Sequence, residues 1–235
     1  MGVLPRELLT GGALAAVRSL LGAVVVAEDA SGLVAVRLTE LEAYEGGRDP
    51  GSHAYRGRTR RNAVMFGPAG HLYVYFSYGM HWCANVVCGP DGEASAVLLR
   101  AGEVVAGAGQ ARTRRPAARR DVDLARGPAR LASALGLDGS HDGLDLLAPR
   151  AGVRLEAGAE PVSADRVRTG PRVGVAGPGG DGLAFPWRFW IDGEPTVSPY
   201  RQGRPRTRSG GRTTRSGRQG TGTGPDTSSP VPSPG

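Results

Sequence analysis

The chain has 235 residues, of which 40% are hydrophobic, so it can bury one sizeable core but is short for two. Its two cysteines, Cys83 and Cys88, are too few for a disulfide scaffold, and their spacing does not fit a Cys-x-x-Cys zinc or redox site. No apolar run in the sequence is long enough to span a bilayer. We therefore expect a single cytoplasmic enzyme-sized domain without membrane contact, in which both cysteines are reduced core thiols.

The formal net charge of +7 is concentrated at one end of the chain, because residues 201–235 hold seven arginines and one aspartate. All 29 basic residues are arginine and none is lysine, a bias that a GC-rich genome also favours. After Tyr200 the composition changes to Arg, Gly, Ser, Thr and Pro, and Val231 is the only large apolar residue. A segment with so few apolar side chains cannot offset the entropy of ordering. We predict a folded domain over residues 1–200 and a disordered basic tail over 201–235.

The first predicted elements are a short helix and a hairpin. Thr10 is a typical N-cap residue, and apolar residues recur at helical spacing until Gly22, which suits a helix C-terminus. Residues 23–27 and 33–44 favour two strands joined by a tight turn. Side chains of a regular strand alternate between its two faces. One face of the second strand should therefore carry Val34, Val36, Leu38, Glu40, Glu42 and Tyr44.

A long segment without a periodic pattern follows this hairpin. Residues 45–71 are rich in Gly, Arg and Pro, and a loop of this length inside a compact domain is usually functional. Strand-like runs at 72–78 and 82–88, separated by a Gly-Met pair, form the most aromatic hairpin of the chain. A further strand is predicted over 94–100, after a Gly-Pro-Asp-Gly turn.

Shorter elements are predicted in the second half of the chain. A helix is indicated where Pro128 can start it, Leu131 and Leu135 lie one turn apart, and Gly136 can end it. Short strands are predicted over residues 144–147, 153–156, 172–175 and 187–191. The whole pattern indicates a single mixed α+β domain with a curved, largely antiparallel sheet, flanking helices and a projecting aromatic hairpin.

Two carboxylates and a tyrosine, Glu40, Glu42 and Tyr44, are predicted to point the same way from a strand that should lie in the core. A buried carboxylate needs partners or a chemical purpose. Ion pairs with the arginines of the following loop are one explanation, and a catalytic site is the other. The spacing of these residues does not by itself decide between the two.

The neighbouring segments add a specific order of short motifs. They are Glu42-Ala43-Tyr44, His53, Met65-Phe66-Gly67-Pro68, residues 72–80, Asn85, Val97-Leu98-Leu99-Arg100-Ala101, residues 124–131, Arg172-Val173-Gly174-Val175 and Pro186-Trp187-Arg188-Phe189. This order resembles the alkyladenine (3-methyladenine) DNA glycosylase family over most of residues 10–198, and only the tail lies outside the resemblance. One departure is Arg60, where the family's Thr-Pro-Arg-Asn stretch has proline, which leaves the path of residues 59–62 open.

The resemblance implies a hydrolytic site around Glu42. This residue matches the family's general base, which holds and deprotonates the attacking water, and Arg100 matches an arginine beside that water. Breaking an N-glycosidic bond develops positive charge on the sugar, so a nearby carboxylate can both stabilise that charge and direct the water. The carbonyl of Val173 is expected to help hold the water.

The resemblance also implies a pocket for a flipped base. Tyr44, His53 and Tyr75 match the aromatic residues that sandwich the base, where stacking is worth about 1–3 kcal/mol. Asn85 matches a residue at the pocket floor that acts against the exocyclic amino group of guanine. Tyr78, at the hairpin tip, matches the side chain that wedges into the minor groove and fills the gap left by the extruded base.

These residues together predict a monofunctional DNA glycosylase that acts as a monomer on double-stranded DNA containing alkylated purines. A chain without lysine cannot form the lysine Schiff base by which bifunctional glycosylases cleave the strand. No cofactor is expected, and because the spacing of histidines and cysteines fits no zinc site, no metal is expected either. Two alternatives stay open. One is a metal-dependent hydrolase of nucleic acid, and the other is a non-catalytic module that grips the duplex with the aromatic hairpin and Arg56, Arg58, Arg60 and Arg61.

Overall fold

An eight-stranded antiparallel sheet organises the domain in the computed structural model, which describes residues 2–77, 79–149 and 151–203. Its strands are β1 (Val24–Asp29), β2 (Gly32–Tyr44), β3 (Leu72–Ser77), β4 (His81–Val87), β5 (Ala96–Ala106), β6 (Val153–Glu156), β7 (Val167–Gly170) and β8 (Arg188–Ile191). They follow the order β3-β4-β5-β2-β1-β6, and β8 pairs with both β2 and β7. The predicted α+β class with an antiparallel sheet is therefore confirmed.

Three helices contribute to the main core: α1 (Ala13–Leu20), α2 (Ala108–Arg114) and α3 (Pro128–Leu135). The predicted helix α3 starts at its proline and ends at Gly136, whose φ of 74° suits a glycine. Helix α2 was not predicted, because Ala111 is its only buried residue. One buried position gives no helical periodicity to recognise in the sequence.

The start of α1 differs from the prediction. Thr10 follows a short 3-10 turn instead of capping the helix, and the N-cap position belongs to Gly12. A distant side chain takes over the capping task, since the Ala13 N–H donates to Ser95 Oγ at 2.7 Å. A local N-cap hydroxyl is therefore not needed here.

The pairing of β2 with β5 is irregular at three points. Thr39 is an extra residue in β2, whereas Arg100 and Val105 are extra residues in β5. The core-facing residues of β2 are Val34, Val36 and Leu38 before Thr39, and Leu41 and Ala43 after it. A bulge shifts the alternation by one residue, so Glu40 and Glu42 lie on the face opposite the main core. The prediction that Val34 to Tyr44 share one alternating face is therefore wrong.

Two of the four short strands predicted in the second half are present, as β6 and β8. Residues 144–147 are not a strand, because the Asp145 carboxylate accepts the Leu147 N–H and makes a turn. Residues 172–175 are not a strand either. There Gly174 has a φ of 74°, and the Val173 N–H donates to the Glu42 side chain instead of to the backbone of a neighbouring strand.

Residues 45–71 contain no strand, as predicted, and two short 3-10 turns interrupt them. Asn62 closes this loop from inside, since its side chain accepts the Thr59 N–H at 2.6 Å and donates to the His53 carbonyl at 3.0 Å. The departure at Arg60 from the family's proline is thus accommodated, because the amide of Asn62 fixes the path of the turn.

Two predicted features fall outside the described residues. Tyr78, at the tip between β3 and β4, is one of them, so the projection of the aromatic hairpin stays a prediction. The other is the disordered tail, of which only residues 201–203 are described, without regular secondary structure. Among the described residues, no helix combines the length and the apolar character needed to cross a membrane.

Candidate active site

Glu42 lies where β2 is paired on both edges, between β5 and β8. Its carboxylate is fully buried, and three groups surround it. The Tyr44 hydroxyl donates to Oε2 at 2.8 Å, and the Val173 N–H donates to Oε1 at 2.6 Å. Arg100 Nη1 lies 3.3 Å from Oε1. These partners compensate the burial of an ionised carboxylate, which would otherwise be costly.

Arg100 gives each nitrogen of its guanidinium a separate partner. Nε donates to Glu40 Oε1 at 2.9 Å, Nη2 donates to Ser198 Oγ at 3.1 Å, and Nη1 faces Glu42. Burial lowers the pKa of Arg100, but the charges of Glu42 and Glu40 outweigh burial and raise it above the ordinary value. The buried carboxylates of β2 therefore pair with arginines of neighbouring strands. The alternative prediction, that they form ion pairs with arginines of the following loop, is wrong for the described residues.

Tyr44 stands beside Glu42 as a neutral hydrogen-bond donor. Burial, helped by the charge of Glu42, raises the pKa of its hydroxyl well above the ordinary value. The guanidinium carbon of Arg172 lies 4.5 Å from the centre of the Tyr44 ring, which is a cation–π contact. The ring is thus fixed at its hydroxyl by a carboxylate and at its face by a cation.

Arg172 is itself held by a fully buried ion pair, which was not predicted. Its two terminal nitrogens lie 2.6 Å from the two carboxylate oxygens of Asp49. They also donate to the carbonyls of Ala43 and Gly179 at 2.9 Å. Burial lowers the pKa of Arg172, but the hydrogen bonds of Asp49 outweigh burial and raise it. This pair anchors the residue next to Val173 and so places the Val173 N–H on Glu42.

A cluster of aromatic rings lies on the same face of the sheet. The rings of His53 and Tyr75 meet edge to face with centres 4.6 Å apart, and Tyr73 stacks on Tyr75 at 5.5 Å. His53 Nδ1 lies 3.2 Å from the Tyr73 hydroxyl. Desolvation, with a smaller effect of Arg61, lowers the pKa of His53, whereas burial raises the pKa of Tyr73 to about 12. Both shifts favour the uncharged forms of these rings, and the cation of Arg61 lies 5.7 Å from the centre of the Tyr75 ring.

Asn85 and Cys83 lie on β4, opposite Tyr73 and Tyr75 of β3. Asn85 is buried and donates to the Tyr73 carbonyl at 3.0 Å, which fixes its amide beneath the aromatic cluster. Cys83 is a buried free thiol whose pKa is raised by burial. It faces the site instead of the main core, so the expectation of two core thiols holds for Cys88 alone. Alternation along β4 from Asn85 was the signal that could have identified Cys83.

The predicted site residues form a gradient of exposure. Glu42 and Arg100 are buried, Tyr44 and Tyr75 are half-buried, and His53 is exposed. A cleft of about 390 Å³ opens beside His53. Its lining residues are Pro50, Ser52, His53, Tyr55, Arg56 and Pro178. Of the predicted site residues, His53 alone lines this cleft.

Two further predicted residues stand apart from this group. Val173 is adjacent to Glu42, but the contact in the structure is made by its N–H, and the role of its carbonyl towards water stays a prediction. Tyr78 lies outside the described residues. Among the described residues, no three His, Cys, Asp or Glu side chains are grouped closely enough to hold a metal ion.

Comparison with known proteins places this arrangement in a family. A protein of Streptomyces avermitilis named "Putative 3-methyladenine DNA glycosylase" is 58% identical over 205 residues, covering 87% of this chain and 95% of the relative. A protein of Leifsonia xyli subsp. xyli with the same name is 56% identical, covering 84% of this chain and 92% of the relative. A third, from Nocardia farcinica, is 55% identical, covering 80% of this chain and 86% of the relative.

The family model described as methylpurine-DNA glycosylase (MPG) matches residues 8–195, which include nearly all of the described domain. This match confirms the resemblance drawn from the short motifs. The chain therefore belongs to the methylpurine-DNA glycosylase family.

Proposed function

We propose that this DNA glycosylase flips alkylated purines of the 3-methyladenine type out of duplex DNA and hydrolyses their N-glycosidic bond, leaving an abasic site. The observation that carries the proposal is the buried Glu42 carboxylate, held by Tyr44, Val173 and Arg100 at the deep end of an aromatic cluster. The names of the relatives support the same class of lesion.

In this mechanism Glu42 holds a water against the anomeric carbon of the flipped nucleotide and takes its proton. As the glycosidic bond breaks, positive charge develops on the sugar, and the carboxylate stabilises that charge. A purine alkylated at N3 or N7 already carries positive charge and leaves as a neutral base, so a general acid is not required. Arg100 remains cationic throughout and keeps the carboxylate oriented.

The aromatic cluster suits a cationic, electron-poor base. Stacking on an aromatic side chain contributes about 1–3 kcal/mol per base. Desolvation lowers the pKa of His53, which favours its neutral form and so reduces repulsion of a positively charged base. We propose that Tyr44 on one side and His53 with Tyr75 on the other receive the extruded purine.

We propose that the loop carrying His53 makes the contact with the DNA duplex. Arg56, Arg58, Arg60 and Arg61 are all exposed on the loop that carries His53. Such arginines bind phosphates without reading sequence, which positions the duplex in register with the cleft. Tyr78 is proposed to wedge into the base stack as the target base leaves. We propose that one copy of the chain is sufficient for all these contacts.

The direct test is incubation of the purified protein with duplexes that each carry one lesion: 3-methyladenine, 7-methylguanine, hypoxanthine or ethenoadenine. Alkali then converts any abasic site into a strand break. A protein that binds these duplexes without releasing any base would support the alternative of a non-catalytic binding module.

The products are expected to be a free base and an intact abasic strand, and EDTA is expected to leave the rate unchanged. The reason is that the chain has no lysine for a Schiff base, and the mechanism needs only water and a carboxylate. Gel analysis with and without alkali, in EDTA or in added Mg²⁺ or Zn²⁺, measures both points. Strand cleavage without alkali, or an absolute need for a metal, would favour the metal-dependent hydrolase.

Asn85→Ser is expected to raise excision of guanine lesions relative to adenine lesions. The Asn85 amide is fixed beneath the aromatic cluster, where it would meet the exocyclic amino group of guanine, and serine removes that obstruction. The ratio of single-turnover rates for 7-methylguanine and hypoxanthine measures the change. Ser77→Ala, on the edge of the same hairpin, is the control, and an unchanged ratio in Asn85→Ser would show a purely structural residue.

A further inference from the structure

Glu40 is the second buried carboxylate of β2, and the proposed chemistry does not use it. Its Oε1 accepts hydrogen bonds from Arg100 Nε at 2.9 Å, Arg188 Nε at 2.7 Å and Ser198 Oγ at 3.0 Å. Its Oε2 accepts the Ser198 N–H at 2.7 Å. Four donors satisfy this carboxylate from within the protein, so it is placed to hold its neighbours instead of meeting a substrate.

Arg100 is the link between Glu40 and Glu42. Two of its nitrogens are fixed, one by Glu40 and one by the Ser198 hydroxyl, and the third faces Glu42 at 3.3 Å. A guanidinium is planar and rigid, so fixing two nitrogens also fixes the third. Glu40 and Ser198 therefore fix the position of the Arg100 guanidinium beside the Glu42 carboxylate.

Two buried carboxylates and two buried guanidinium groups around Arg100 give a net charge of zero. Glu40 and Glu42 face Arg100 and Arg188, and all four side chains are buried. Without the charge of Glu40, two cations would share one carboxylate. Arg100 could then turn to bind Glu42 through two nitrogens, the geometry that arginine and carboxylate prefer. This bidentate contact would occupy the acceptor positions of Glu42 that must orient the water.

Ser198 comes from a segment beyond residue 195, where the family match ends. The segment is nevertheless packed into the domain. Thr196 and Ser198 are both buried, and Arg126 Nε donates to the Val197 carbonyl at 2.8 Å. Arg188 Nη2 also donates to the Ser198 carbonyl at 2.7 Å. Residues 196–198 therefore complete the polar network behind the site.

We propose that Glu40 and Ser198 are positioning residues for base excision, which act by holding Arg100 so that Glu42 Oε2, which accepts the Tyr44 hydroxyl, keeps its second acceptor position for water. This inference rests on the proposed function. It assigns a role in the reaction to a segment outside the family match and to a carboxylate that does not touch the substrate.

Ser198→Ala tests the proposal, with Ser95→Ala as a matched control. Both serines are buried, and each hydroxyl bonds a carboxylate, but Ser95 bonds Glu45 and the first turn of α1. We expect both variants to lose thermal stability. Only Ser198→Ala should lower the maximal single-turnover excision rate, by about tenfold, while the enzyme concentration at half-saturation stays unchanged. Ser198→Thr, which retains a hydroxyl, should restore the rate.

Glu40→Gln extends the test, because the amide keeps the shape and loses the charge. Its maximal rate should fall by about 10²-fold, as expected when a catalytic group is displaced by about an ångström. Equal rates for Ser198→Ala and Ser95→Ala would overturn the positioning role, and so would failure of Ser198→Thr to restore the rate. Wild-type protein that excises no lesion would overturn both this inference and the proposed function, whereas an active wild type with a full-rate Ser198→Ala would overturn the inference alone.

Discussion

Glu42→Gln is expected to bind lesion-containing duplex but to excise the base about 10²–10⁴-fold more slowly than the wild type, the range for a positioned general base. Glutamine has the same shape and can still accept the Val173 N–H that now meets Oε1. It cannot take a proton from water, nor can it stabilise positive charge on the sugar. The loss should therefore appear in the single-turnover rate at saturating enzyme.

Glu103→Gln is the matched control for this variant. Glu103 lies on β5, its side chain is 50% exposed, and it pairs with Arg37 at the surface. The same chemical change there should leave excision and binding unaltered. A Glu42→Gln protein that excises within a few-fold of the wild-type rate would remove Glu42 from the mechanism, and retained binding of lesion DNA by this variant shows that its fold is intact.

Asp49→Ala is expected to lower the free energy of unfolding by about 3–5 kcal/mol, the cost typical of removing one partner from a buried ion pair. The substitution leaves the fully buried guanidinium of Arg172 without its carboxylate. It also releases the segment that presents the Val173 N–H to Glu42. Chemical denaturation measures the first effect, and the single-turnover rate measures the second.

Asp192→Ala is the control, because the Asp192 carboxylate is half exposed and, within the described part of the chain, its side chain pairs with the half-exposed Arg168 alone. Exposed pairs of this kind contribute little to stability. The double variant Asp49→Ala/Arg172→Met should recover part of the loss, since it removes the uncompensated charge along with its partner. A loss below about 1 kcal/mol for Asp49→Ala alone would show that water reaches Arg172.

Local patterns in the sequence were sufficient for the α+β class and for most of the strands. The strand-like run of β2, the turn before β5, and the proline and glycine at the ends of α3 are short-range signals, and the structure contains these elements, although the residues of β2 do not share the single face that was predicted. Helix α2 was not predicted because its one buried residue, Ala111, gives no helical hydrophobic periodicity. The start of α1 was misplaced because its capping hydroxyl, on Ser95, is distant in the sequence.

The composition of the site was harder to foresee, because its contacts join residues far apart in the chain. Glu42 meets Val173 across 131 positions, and Arg172 meets Asp49 across 123. In sequence, Arg172 is one arginine among 29 basic residues, and nothing local marks it as buried. The roles of Glu42 and Arg100 were inferred from the order of the motifs. Alternation from Asn85 and Tyr75 could have identified Cys83 and Tyr73, whereas Ser198 had no signal in the sequence.

The bulges at Thr39 and Arg100 also limit how this site can be transplanted to another protein. Anyone who grafts Glu40, Glu42 and Arg100 onto a regular hairpin of another scaffold would copy the side chains and lose their orientation. On an unbroken strand the face that carries these carboxylates would also carry Leu38, whereas here the extra residue Thr39 separates the two phases. The irregular backbone at Thr39 and Arg100 therefore sets the orientation of these side chains, and a successful graft has to copy it together with the residues.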